Sequence, residues 1–74
     1  MQYLEFGKFI RKKREALKHK PSLNEFALNN DIDPATLSRI ETCKQGIKLT
    51  DIAKIANGFN MLASELIKEY ETLH

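Results

Sequence analysis

Apolar residues recur along this chain at intervals of three and four, so it divides into short amphipathic helices, and no stretch reads as a strand. Leu4, Phe6, Ile10 and Leu17, with Arg11, Lys12, Lys13 and Arg14 between them, predict a first helix from Tyr3 to Lys18. His19-Lys20-Pro21 ends it, because proline disfavours helical geometry in the residue before it. Ser22-Leu23-Asn24-Glu25 is a capping-box pattern and opens a short second helix with Leu23, Phe26 and Ala27 on one side. Asn29-Asn30-Asp31, which tolerate left-handed backbone, stop it. Asp33-Pro34 then supplies an N-cap and a first-turn proline for a third helix ending at Glu41 or Thr42, with Leu37 and Ile40 inward. Cys43 to Lys48 reads as a loop. Thr50 is the expected cap of a fourth helix with Ile52, Ile55, Ala56 and Phe59 inward, frayed near Asn57-Gly58. A fifth opens at Leu62 or Ala63 and carries Leu66, Ile67, Tyr70 and Leu73 at helical spacing. The expected fold is all-α, five helices in one domain spanning residues 1–74.

With 74 residues, the chain is too short for two domains. Its longest apolar runs are two or three residues, such as Met61 to Ala63, against the roughly 20 a bilayer crossing needs. The N-terminal M-Q-Y-L-E-F-G-K lacks the basic and apolar blocks of a secretory signal, so a cytoplasmic location is expected. A single cysteine, Cys43, cannot form an intrachain disulfide or a Cys-based zinc site and reads as an inert reduced thiol. His19 and His74 are far apart in sequence and no Ser/His/Asp arrangement or carboxylate pair accompanies them, so no catalytic site and no cofactor site can be assembled.

Net charge is only +2, but it is unevenly spread. Residues 1–20 carry +5, residues 21–42 carry −3 and residues 43–74 are neutral. The basic run of the first helix reads as a solvated face, because that helix is expected to lie behind any surface built on the second and third.

Two short helices joined by three or four residues form a helix-turn-helix, whose second helix enters a DNA major groove while the first braces it. That geometry requires a small residue at the helix crossing, here Ala27, and a residue permissive of left-handed backbone in the turn, here Asp31. Buried apolar positions then fall at Phe26, Ile32, Leu37 and Ile40. Helical hairpins without a DNA function can meet the same requirements.

Four stretches in this order are F-G-K-F-I-R-K-K-R (Phe6 to Arg14), S-L-N-E-F-A (Ser22 to Ala27), L-S-R-I-E (Leu37 to Glu41) and L-T-D-I-A-K-I-A (Leu49 to Ala56). Together they resemble the lambda-repressor-like helix-turn-helix domains, the Cro/CI or Xre family of bacterial and phage regulators. The resemblance implies a five-helix transcriptional regulator, a repressor by expectation, that binds double-stranded operator DNA as a homodimer. Its helix-turn-helix would span residues 22–41. The chain departs from the family pattern at Cys43 and Asp31, where glycine is usual, and in a loop from Arg14 to Ser22 that is about two residues longer. Loops absorb such insertions cheaply.

The resemblance also places an ion pair between Arg14, late in the first helix, and Glu41, at the end of the third. Base-facing positions would be Pro34, Ala35, Thr36, Ser38 and Arg39. Arg39 is the strongest of these, since arginine can bond guanine O6 and N7 together, although holding a phosphate or a surface carboxylate would account for it too. Phosphate contacts would come from Ser22 and Asn24 at the start of the second helix, Thr42, and Lys44, Gln45 and Lys48 in the following loop. Asp31 and Asp33 lie near this face and oppose phosphate. Leu62, Leu66, Ile67, Tyr70 and Leu73 form either a dimer seam or ordinary core. The rival to DNA binding is a protein-interaction module, such as an antitoxin or adaptor, favoured by the acidic middle segment and by the lack of side-chain donors at Pro34 and Ala35.

Overall fold

The computed structural model describes residues 5–73. Among them are five helices and no strand: α1 (Phe6–Glu15), α2 (Leu23–Asn29), α3 (Pro34–Glu41), α4 (Leu49–Gly58) and α5 (Ala63–Leu73). Tyr3, Leu4 and His74 lie outside the described residues.

Local chemistry starts α2 and α3 where the sequence predicts. The Ser22 hydroxyl accepts from the Glu25 N–H at 3.1 Å, while the Glu25 carboxylate accepts from the Ser22 N–H at 3.1 Å, so the capping box is complete. Asp33 caps α3 through the Ala35 N–H, and Pro34 fills the first helical position.

Three helix ends share a second device. The N–H groups of Asp31 and Ile32 bond back to Leu28 and Ala27, those of Cys43 and Lys44 to Ile40 and Arg39, and those of Asn60 and Met61 to Asn57 and Ala56. Each is a Schellman end, which needs one residue in the left-handed region. Asp31, Cys43 and Asn60 supply it at φ of 58°, 60° and 58°, with no glycine at any of the three.

Two boundaries differ from expectation. Helix α1 ends at Glu15 instead of Lys18, because the chain tightens into i→i−3 bonds from Leu17 to Arg14 and from Lys20 to Leu17. The Arg14 guanidinium also bonds the Pro21 carbonyl at 3.0 Å, drawing this connection back across the helix end. Thr50 is not the cap of α4. Lys48 holds that place with extended backbone and no side-chain bond, since the first helical bond runs from the Ile52 N–H to the Lys48 carbonyl.

The core draws on every helix: Phe6, Phe9 and Ile10 from α1, Phe26 and Ala27 from α2, Leu37 and Ile40 from α3, Ile55 and Ala56 from α4, and Leu66 and Tyr70 from α5, with Ile32 between α2 and α3. Ile52 and Phe59, expected inward, are half-buried against it. Tyr70 stands edge-on to Phe6 at 5.0 Å between centroids and lies 5.3 Å from Phe9, joining the two ends of the chain. Lys13 reinforces that junction by reaching Glu69 at 2.9 Å. Helix α1 crosses α3 at Gly7, where a Cβ would overlap the Ile40 carbonyl. The crossing is therefore closed to any larger residue.

Candidate nucleic-acid interface

Helix α3 is held by its inner face and open along its outer one. Leu37 and Ile40 are fully buried, and Glu41 is 4% exposed despite its charge. Its two oxygens accept from Arg14 Nε at 2.8 Å and Nη2 at 3.0 Å, and Nη1 takes the Pro21 carbonyl. The Arg14 pKa is raised above its ordinary value, chiefly by this hydrogen bond to Glu41. Each nitrogen of a nearly buried guanidinium is thus directed, and α3 cannot roll on α1 without breaking a bidentate pair.

On the outer side, Ala35, Ser38, Arg39 and Thr42 are exposed, and Pro34 and Thr36 are half-buried. Two hydroxyls are already engaged: Thr42 donates to the Ser38 carbonyl at 2.8 Å, and Thr36 faces Asp33 Oδ2 at 3.5 Å. The Arg39 guanidinium has no hydrogen bond or ion pair among the described residues. Ser38 and Arg39 are therefore the side chains on this edge with uncommitted donors. Lys44 and Lys48 follow in the loop, both exposed and without a side-chain partner among the described residues, while Gln45 is half-buried.

Acidic groups flank this edge at its leading end. Asp33 sits at the cap of α3, and Asp31 is 98% exposed with Lys54 at 3.8 Å. The start of α2 is also less open to an anion than its sequence suggests. Ser22 and Asn24 are both exposed, but the Glu25 carboxylate closes over the Ser22 N–H, and that bond holds its pKa below the usual carboxylate value. An anion already occupies part of this helix terminus.

The residues grouped as a dimer seam separate into two sets. Leu66 and Tyr70 are core, at 0% and 2% exposure, so neither is free for a partner. They turn inward because α5 packs across Phe6 and Phe9. Leu62, just ahead of α5, and Leu73 at its end are about two-thirds exposed and Ile67 is half-buried, so these three keep surface open to solvent.

One feature was not legible in the sequence. Lys8, Arg11, Lys12 and Glu15 follow helical spacing along α1, and with Glu41 of α3 and Thr42 just beyond it they line a groove of about 420 Å³. Periodicity alone could show that these charges share a face, but not that the face abuts the end of α3. A second open cavity, lined by Phe6, Gly7, Ile40 and Cys43 among others, carries the exposed Cys43 thiol.

No family model matches the chain, and no curated protein or solved structure matches it either.

Proposed function

We propose that this chain is a sequence-specific DNA-binding regulator of the lambda-repressor-like helix-turn-helix type, acting in the cytoplasm. In this reading α2 braces and α3 reads the major groove. The observation that carries it is the outer edge of α3, a helix bolted to the core on one side and presenting a partnerless Arg39 beside Ser38 on the other. Arg39 bonds guanine O6 and N7, a contact worth about 1–3 kcal/mol of discrimination. Ala35 and Pro34 offer only apolar contact to thymine methyls. Lys44 and Lys48 hold phosphates on the far side of the loop.

The protein occupies its operator and performs no chemistry. Two copies on half-sites one helical turn apart supply the remaining affinity, joined through Leu62 and through Ile67 and Leu73 of α5. Titration of labelled DNA flanking its coding region tests the reading. Specific binding abolished by Arg39→Ala supports it, and absence of binding at low salt defeats it.

A protein-interaction module is the second reading, and the acidic groups favour it: Glu25 on the α2 terminus, and Asp31 and Asp33 at the leading end of α3. Binding to a protein through α3 with no DNA binding at any salt concentration would select it.

A further inference from the structure

We infer that the groove between α1 and the C-terminal end of α3 is a second contact with nucleic acid, a seat for the sugar–phosphate backbone of the duplex that α3 reads. The inference rests on the DNA-binding reading and assigns a role to the basic face of α1, which sequence alone gives only as a solvated surface.

Position comes first. Thr42 lines the groove and is also the last residue of the exposed α3 edge, one turn beyond Ser38 and Arg39. A helix about 10–12 Å across fills a major groove about 12 Å wide, so phosphates run along both of its sides. A strand passing the exit of α3 therefore meets α1.

Charge comes second. Of the six lining residues, Glu41 is spent on Arg14, so its carboxylate projects no free charge. Arg11 and Glu15 form an exposed pair at 3.3 Å, and Lys8 touches Glu5 only at 3.7 Å. Exposed pairs of this kind contribute little and exchange readily for a stronger anion. Lys12 has no partner among the described residues. The other two cations of α1 are engaged elsewhere, Lys13 with Glu69 and Arg14 with Glu41, so Lys8, Arg11 and Lys12 are the ones left for a ligand. Their chemistry suits phosphate, which accepts from several ammonium and guanidinium donors at once.

The test compares duplex binding by the wild-type chain, Lys8→Gln/Lys12→Gln, Arg39→Ala, and the charge-matched control Lys18→Gln/Lys68→Gln, across a salt series. All four lysines lie at the surface, and melting temperatures check that each variant folds. The groove variant is expected to lower the slope of log K against log salt by about 2, one for each phosphate it no longer neutralises. Its affinity deficit then grows about fourfold with each halving of the salt concentration. The control should follow the wild type. Should wild-type protein bind DNA through Arg39 while the groove variant keeps the wild-type slope, the groove assignment falls and the DNA-binding reading stands. If wild-type protein binds no DNA, both fall. Binding of polyglutamate that disappears in the groove variant, with DNA binding unchanged, would reassign the groove to an acidic protein partner and overturn the inference.

Discussion

Arg14 Nε and Nη2 grip the two oxygens of Glu41 at 2.8 and 3.0 Å, inside a protein too small to bury charge casually. A buried pair of this kind adds little net stability compared with an apolar one, yet losing one partner strands the other. Glu41→Ala is expected to cost about 3–5 kcal/mol. For a domain of this size that lowers the melting temperature by more than about 12 °C. Glu15→Ala, which breaks an exposed pair with Arg11, should cost less than about 1 kcal/mol. Equal melting temperatures for the two variants would show that the pair has no structural role.

The crossing of α1 and α3 gives a sharper contrast between two glycines. A Cβ at Gly7 meets the Ile40 backbone carbonyl, which cannot swing aside, whereas one at Gly46 meets nothing within 4 Å. Neither glycine has positive φ. Gly7→Ala should therefore destabilise by at least about 1–3 kcal/mol through overpacking. Gly46→Ala should be neutral or stabilising by up to about 1 kcal/mol, since alanine restricts the unfolded chain. Denaturant titration of both variants measures the difference.

At the C-terminus of α3, Cys43 adopts φ of 60° with a full side chain. Left-handed backbone costs a residue other than glycine, asparagine or aspartate about 1–2 kcal/mol. Cys43→Gly removes that strain and keeps both Schellman bonds, so it should raise stability, by about 1 kcal/mol at most once the greater freedom of glycine in the unfolded state is subtracted. Cys43→Val, branched at Cβ, should lower stability in the same assay.

How far the sequence discloses this molecule depends on the range of the interactions involved. Ser22 with Glu25, Asp33 with Pro34, and the left-handed Asp31 act within a few residues, and each is legible as written. So are the apolar positions Phe26, Ile32, Leu37 and Ile40, all buried. Tyr70 shows where such reading stops. Its spacing on α5 fits a surface seam or a core equally, and only the meeting with Phe6 and Phe9, at the other end of the chain, decides for the core. The groove beside Lys12 depends in the same way on a long-range event, the docking of α1 on α3. For Arg39 the spacing gives exposure, and absence of a nearby carboxylate partner becomes visible only in three dimensions.

The capping box makes stability depend on acid. Glu25 is held below its ordinary pKa, first by the Ser22 N–H and then by the Ser22 hydroxyl. A depressed carboxylate stabilises the fold above its unfolded value, near about 4.3, and that contribution disappears as pH falls through the folded value. The melting temperature should therefore drop in acid more steeply for the wild type than for Glu25→Gln. The gap between them at pH 7 should close as the pH falls through the lowered folded value of Glu25. A gap that persists unchanged into acid would assign the difference to packing instead of the ionised cap.

Asp33 offers the cleanest separation of fold from binding. Its carboxylate caps α3, and the same negative charge stands at the end of that helix which, in the proposed docking, would lead into the duplex. Asparagine caps about as well as aspartate, so Asp33→Asn should leave the stability within about 1 kcal/mol of wild type. A unit charge about 6 Å from a phosphate in water repels it by about 0.7 kcal/mol. Removing it should tighten DNA binding about threefold at low salt, with the gain fading as salt screens the repulsion. Protein recognition by the same face would respond to Asp33→Asn without a consistent sign or salt dependence. Affinity for duplex that is unchanged at low salt would place the leading end of α3 away from the phosphates and exclude the docking proposed for this helix.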